Sequence, residues 1–161
     1  MTSLLGKRSS MVLFHNEIGH QSHKVRIVLS EKGITADLEA LDPENLPKEI
    51  LEVNPKGFLP LLIDRELALY KSQLIVEYLD ERFPHPPLLP VYPVARAQTR
   101  LILHRIEEEW TYHVDILEDA SATTAKKNSS RKELKKNITN SMMLFDSSES
   151  VSYTHLTLPT N

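Results

Sequence analysis

Histidines near the start, serines that open helical runs and a histidine held between prolines are the residues of this chain with the type and setting for chemistry. His15, His20 and His23 offer imidazole nitrogens to a metal. Their spacing in a loop is not a ligand pattern, and no group that would orient them can be inferred, so exposed imidazoles account for them and no metal is expected. Ser22 and Ser72 stand where stretches of helical period begin. A serine hydroxyl there caps free backbone amides, and at Ser72 the hydroxyl and amides together make an anion site. Pro84-His85-Pro86 offers binding rather than catalysis. Prolines restrict the backbone before any partner arrives, and an imidazole between them presents two ring nitrogens and a flat face. That makes a docking ridge, although a stiff linker between domains needs proline equally. The absence of cysteine from all 161 residues excludes a disulfide, a thiolate nucleophile and a cysteine-bound zinc or iron–sulfur site.

Composition sets the frame for these residues. At 40% hydrophobic and 25% charged, the chain has the balance of a globular protein and is long enough to bury one good core. The longest apolar runs, such as Val12-Leu13-Phe14 and Leu59-Pro60-Leu61-Leu62-Ile63, fall far short of the ~20 residues of a spanning helix. Met1 to Ser10 carries Lys7 and Arg8 without a secretory apolar core behind them, so a cytoplasmic location with no membrane contact follows by elimination. A net charge of −3 argues against direct binding to nucleic acid, whose partners carry a large basic excess.

The elements that must position the candidates follow from period and punctuation. After an N-terminal extension, residues 1–10, the run from Met11 to Asn16 reads as a first strand and its loop. Ser22 then caps a helix on which Val25, Val28 and Leu29 repeat, and Gly33 stops it. Ala36 to Asp42 suits a short strand. Leu46, Ile50, Leu51 and Val53 mark a short helix ending at the turn Asn54-Pro55-Lys56-Gly57. Leu59 to Asp64 and Leu67 to Tyr70 form a hairpin across Asp64-Arg65-Glu66. Ser72 to Phe83 is a helix with Leu74, Ile75, Tyr78 and Leu79 on one face. The order β-α-β-α-β-β-α over residues 11–83 predicts an α/β thioredoxin-like domain: a mixed sheet with helices on both faces.

Five of the ten residues from Pro84 to Pro93 are proline, so residues 84–93 read as a stiff linker. Residues 94–145 begin an all-α part. Val94 to Leu117 is a helix with Leu103, Ile106, Trp110, His113 and Leu117 at three-and-four spacing. Ala120 to Ser130 reads as a loop, and a basic, weakly apolar segment follows from Arg131 to near Phe145. The tail, residues 146–161, matches no element around it. Its ending, Val151-Ser152-Tyr153-Thr154-His155-Leu156-Thr157-Leu158-Pro159, is identified as the translation of a sequencing adapter, so Val151 onward is expected not to be natural protein.

Two segments, Ser22-His23-Lys24-Val25-Arg26-Ile27-Val28-Leu29-Ser30-Glu31-Lys32-Gly33 and Asn54-Pro55-Lys56-Gly57-Phe58-Leu59-Pro60-Leu61-Leu62, are similar to the first helix and the proline turn of glutathione transferases. The run Glu77-Tyr78-Leu79-Asp80-Glu81-Arg82-Phe83-Pro84-His85-Pro86-Pro87-Leu88-Leu89-Pro90-Val91-Tyr92-Pro93-Val94-Ala95-Arg96 closely resembles one branch of that superfamily, the RNA-polymerase-associated stringent starvation protein A family. The resemblance covers about Met11 to Trp110. It implies an incomplete glutathione-transferase C-terminal domain, a homodimer when full length, and a noncatalytic transcriptional regulator that contacts RNA polymerase holoenzyme through Pro84, His85 and Pro86 without a cofactor. It also implies a cis peptide before Pro60, which turns the backbone of Leu59 outward. The alternative is a glutathione transferase in which Leu59, Pro60 and Ser72 hold glutathione and Ser22 activates its thiol. Against that, the loop before Ser22 has no Tyr or Cys, and Lys71 stands where glutathione-binding relatives commonly place an acid; plain helix caps are the expected roles of both serines.

Overall fold

The computed structural model describes residues 11–153, with side chains through Ser141. Met1 to Ser10 and residues 154–161 lie outside the described residues, and with them the N-terminal extension and most of the adapter-like ending. The chain divides between Val91 and Tyr92 into two compact units.

In the first unit the elements are β1 (Val12–His15), α1 (His20–Glu31), β2 (Asp37–Ala40), α2 (Lys48–Val53), β3 (Leu61–Asp64), β4 (Leu67–Tyr70) and α3 (Ser72–Arg82), the order expected from the sequence. They build one four-stranded sheet in the order β2-β1-β3-β4. β1 and β2 are parallel, joined across the sheet by α1, while β1 with β3 and β3 with β4 are antiparallel. The two central strands are apolar at nearly every position because both their faces are covered. Successive side chains alternate between the faces. Leu13 and Leu62 pack with Val25, Val28 and Leu29 of α1 and Ile75 and Leu79 of α3. Val12, Phe14, Leu61 and Ile63 pack with Ile50 of α2 on the other face.

Three helical expectations need correction. Ser22 does not cap α1: the helix begins two residues earlier, Gly19 is its N-cap, and the first turn closes through His23 N–H to the Gly19 carbonyl at 3.0 Å. Nor does Ser72 cap α3. Lys71, at a φ of 75°, is the N-cap, and Ser72 is already the first helical residue. On α3 the apolar face runs through Ile75 and Leu79, while Leu74 is 50% exposed, because Leu74 lies a residue to the side of the stripe that meets the sheet.

The second unit holds α4 (Pro93–Glu118) and α5 (Thr124–Tyr153). α4 starts on Pro93, whose missing N–H is no loss in a first turn. Ile106, Trp110, His113 and Leu117 are half-buried as their spacing predicts, Leu103 is exposed, and the fully buried residue is Ile116 beside the stripe. The loop expected over Ala120 to Ser130 shrinks to a short turn, where the Asp119 carboxylate accepts the Ser121 backbone N–H at 2.8 Å. α5 then packs back along α4, with the Asn137 amide donating to the Glu109 carbonyl at 2.9 Å. The chain has neither Gly nor Pro between Pro93 and Pro159, so nothing in the backbone stops a helix once Ala125, Lys126 and Lys127 have begun it. For the same reason the backbone from Asp146 to Tyr153 continues α5 instead of breaking from it. Among the described residues no helix is long and apolar enough to cross a membrane.

Candidate functional site

The ridge is built from the end of α1 and the end of α3. Gly33, at a φ of 61°, lets the chain turn away after Lys32. Lys32 turns inward instead, and its side chain is fully buried. An ammonium has three N–H donors. Here it donates to the Phe83 carbonyl at 2.7 Å, to the Pro86 carbonyl at 2.7 Å and to Asp80 Oδ1 at 2.7 Å. Asp80, in the last turn of α3, also accepts the backbone N–H of Leu88 at 3.0 Å. The chain is thus pinned at Phe83, Pro86 and Leu88, while Pro84, His85 and Pro86 themselves are exposed. The His85–Pro86 peptide is cis.

A second cluster secures the same end of α3. Tyr78 donates its hydroxyl to Asp64 Oδ2 at 2.6 Å, and Arg82 Nε meets that oxygen at 3.0 Å. The Arg82 guanidinium lies 5.5 Å from the Phe83 ring centroid and 6.0 Å from that of Tyr78. Burial, then the hydrogen bond to Asp64 and its charge, raise the Tyr78 phenol above its ordinary value of 10.0. A folded-state value above the unfolded one stabilises the fold fully below pH 10.0, and this stabilisation is lost as pH rises through the folded value. Absorbance titration is therefore expected to show a late-ionising tyrosine that disappears in Tyr78→Phe, together with a shallower loss of stability above pH 10.

The loop after β1 is organised by Arg26. Its Nη1 lies 2.9 Å from His15 Nδ1 and donates to the Asn16 carbonyl at 3.0 Å, and Nη2 donates to the Glu17 carbonyl at 2.9 Å. Since a guanidinium only donates, His15 Nδ1 accepts and its ring proton sits on Nε2. His23 Nδ1 lies 3.4 Å from the same Nη2, and His20 Nε2 lies 3.0 Å from the Gln21 amide nitrogen. His15 is buried, contrary to the exposed imidazole expected, because β1 carries it into the sheet.

Ser22 is buried and its oxygen accepts the Asn16 backbone N–H at 3.0 Å. The Ser72 hydroxyl donates to Gln21 Oε1. Pro60 is buried behind a cis Leu59–Pro60 peptide, and Leu59 is half-buried. The structure thus joins Ser72 to the first turn of α1 through Gln21, whereas the ridge hangs from Lys32 and Asp80. Sequence reasoning missed Gln21, Arg26, Lys32 and Asp80. By sequence Lys32 merely precedes the glycine that ends a helix and Asp80 lies off the apolar face of α3, and lysine and aspartate are rarely buried. A buried partner for each is a tertiary fact with no local signal.

The family described as Glutathione S-transferase, N-terminal domain matches residues 13–87. The chain is 54% identical over 110 residues to a stringent starvation protein A homolog of Pasteurella multocida, covering 68% of this chain and 52% of that relative. It is 34% identical over 80 residues to a probable glutathione transferase of Aplysia californica, covering 50% of this chain and 87% of the relative. A solved glutathione S-transferase from Rhodospirillum rubrum matches with a TM-score of 0.72 at 23% identity, over 84% of this chain and 66% of that one, which speaks for the fold. The chain spans about half the length of the stringent starvation protein A homologs it matches. With the mixed sheet, the Pro60 turn and these matches together, the chain belongs to the glutathione S-transferase family, and over about two thirds of its length it is similar to homologs of stringent starvation protein A.

Proposed function

We propose that this chain is a noncatalytic transcriptional regulator that joins RNA polymerase holoenzyme in starvation or stress, docking through Pro84, His85 and Pro86. The observation that supports it most is exposure combined with restraint: the three residues face solvent while Lys32 and Asp80 hold the backbone around them. A surface ordered before binding loses less entropy on docking, and a ring presented on such a surface suits an interface anchor. The ridge also lies inside Glu77 to Arg96, the run whose resemblance implies the polymerase as partner. The protein works in the cytoplasm, as a homodimer when full length, with no cofactor and no direct contact to nucleic acid or membrane.

The rival is a glutathione transferase, which the name of the Aplysia relative favours. It requires Ser22 as the thiol-activating group and Leu59, Pro60 and Ser72 as the glutathione cradle. Ser22 is buried, with its oxygen accepting from Asn16, the Ser72 hydroxyl already donates to Gln21, and Lys71 beside Ser72 would repel an ammonium group of the ligand. Co-purification with polymerase holoenzyme tests the proposal: His85→Ala is expected to weaken the association about tenfold or more. Unchanged association would remove the ridge from the interface. Retention on immobilised glutathione with turnover of an electrophile, lost in Ser22→Ala, would replace the regulator with the enzyme.

A further inference from the structure

We propose that Lys32 and Asp80 are the positioning residues of the ridge: a buried ion pair that sets the shape of residues 83–88 from beneath, and so sets affinity for the protein partner without touching it. This deepens the ridge reading above and rests on it. Three bonds are made from one ammonium, two of them to carbonyls on either side of the exposed imidazole. A carbonyl bonded to a cation is held more tightly than one bonded to a neutral donor. Asp80 fixes the third point by accepting from Leu88, and it is anchored in turn on α3, whose Leu79 lies in the core. Lys32 stands at the end of α1, whose Val28 and Leu29 pack into the same core. The ridge is therefore tied to two core helices by side chains rather than by the linker's prolines alone.

Prolines fix φ at their own positions but leave ψ free, so proline content by itself does not set the direction of the His85 ring. The two pinned carbonyls bracket that residue and close the remaining freedom. Loosening them leaves Pro84, His85 and Pro86 chemically intact but makes the partner order the segment on binding, which weakens the complex.

The test uses the full 161-residue chain. Lys32→Met with Asp80→Asn removes both charges together, so that no unpaired ion is left buried, and the asparagine oxygen still accepts from Leu88. Two readouts are taken. The carbonyl 13C resonances of Phe83 and Pro86 are expected to move upfield while those of Leu13 and Leu62 stay in place, which reports loss of the cation bonds within an intact core. Association with polymerase holoenzyme is expected to weaken about tenfold. Unmoved Phe83 and Pro86 carbonyls would overturn the staple. Moved carbonyls with unchanged association, in a background where His85→Ala abolishes it, would overturn the positioning role. If His85→Ala binds like the parent chain, the interface assignment fails instead, and the carbonyl shifts still decide whether the staple exists.

Discussion

Lys32→Met alone is expected to lower the unfolding free energy by about 3–5 kcal/mol, because removing one partner of a buried pair takes from the other charge its contact with a buried ammonium. The Asp80 carboxylate is only 11% exposed, and the Phe83 and Pro86 carbonyls lose their shared donor in the same step. Against a total of roughly 5–15 kcal/mol such a loss is a large share of the stability. Urea denaturation measures it as a lower midpoint with an unchanged slope. The double variant Lys32→Met with Asp80→Asn is expected to recover a good part of the loss, since two neutral groups need no counter-charge. A single variant within ~0.5 kcal/mol of the parent would show that Lys32 reaches solvent and that the staple is a surface contact.

The second large effect lies in the sheet. Leu13→Ala is expected to cost about 2–5 kcal/mol, while Leu38→Ala costs about 0.5 kcal/mol or less. The two leucines face each other directly in the register of β1 and β2, and both sit in four-residue strands. Yet Leu13 is completely buried between α1 and α3, and Leu38 is 53% exposed on the edge strand. Deleting three carbons at Leu13 opens a cavity that packed neighbours cannot close; at Leu38 the same change alters a surface already half wet. Equal effects at the two positions would mean that β2 is covered in solution.

Much of this fold was readable from local pattern. Period-two apolar runs bounded by turn residues located the strands, and three-and-four spacing located α1, α3 and α4, because those periods follow from backbone geometry itself. Where the pattern misled, a different local rule was stronger. Ala120 to Ser130 looked like a loop for want of apolar residues, but helix formation asks only that breakers be absent when α4 is there to pack against. Ser22 and Ser72 looked like caps because serine commonly is one, yet Gly19 and Lys71 hold those positions. The ridge was visible as a proline-histidine-proline run, while its anchors were not.

That division has a physical reason. The order of elements, the two-faced central strands, the turn from Asn54 to Gly57 and the residues of the ridge are consequences of short-range stereochemistry and of burial averaged over a few neighbours, so the amino-acid sequence determined them by itself. Which lysine would be buried, which carbonyls it would hold, and which amide would engage the Ser72 hydroxyl depend on groups about fifty residues apart meeting within a bond length. No local propensity encodes such a meeting. Only the packing of α1 and α3 on one face of the sheet brought Lys32 beneath Pro86 and Gln21 against Ser72.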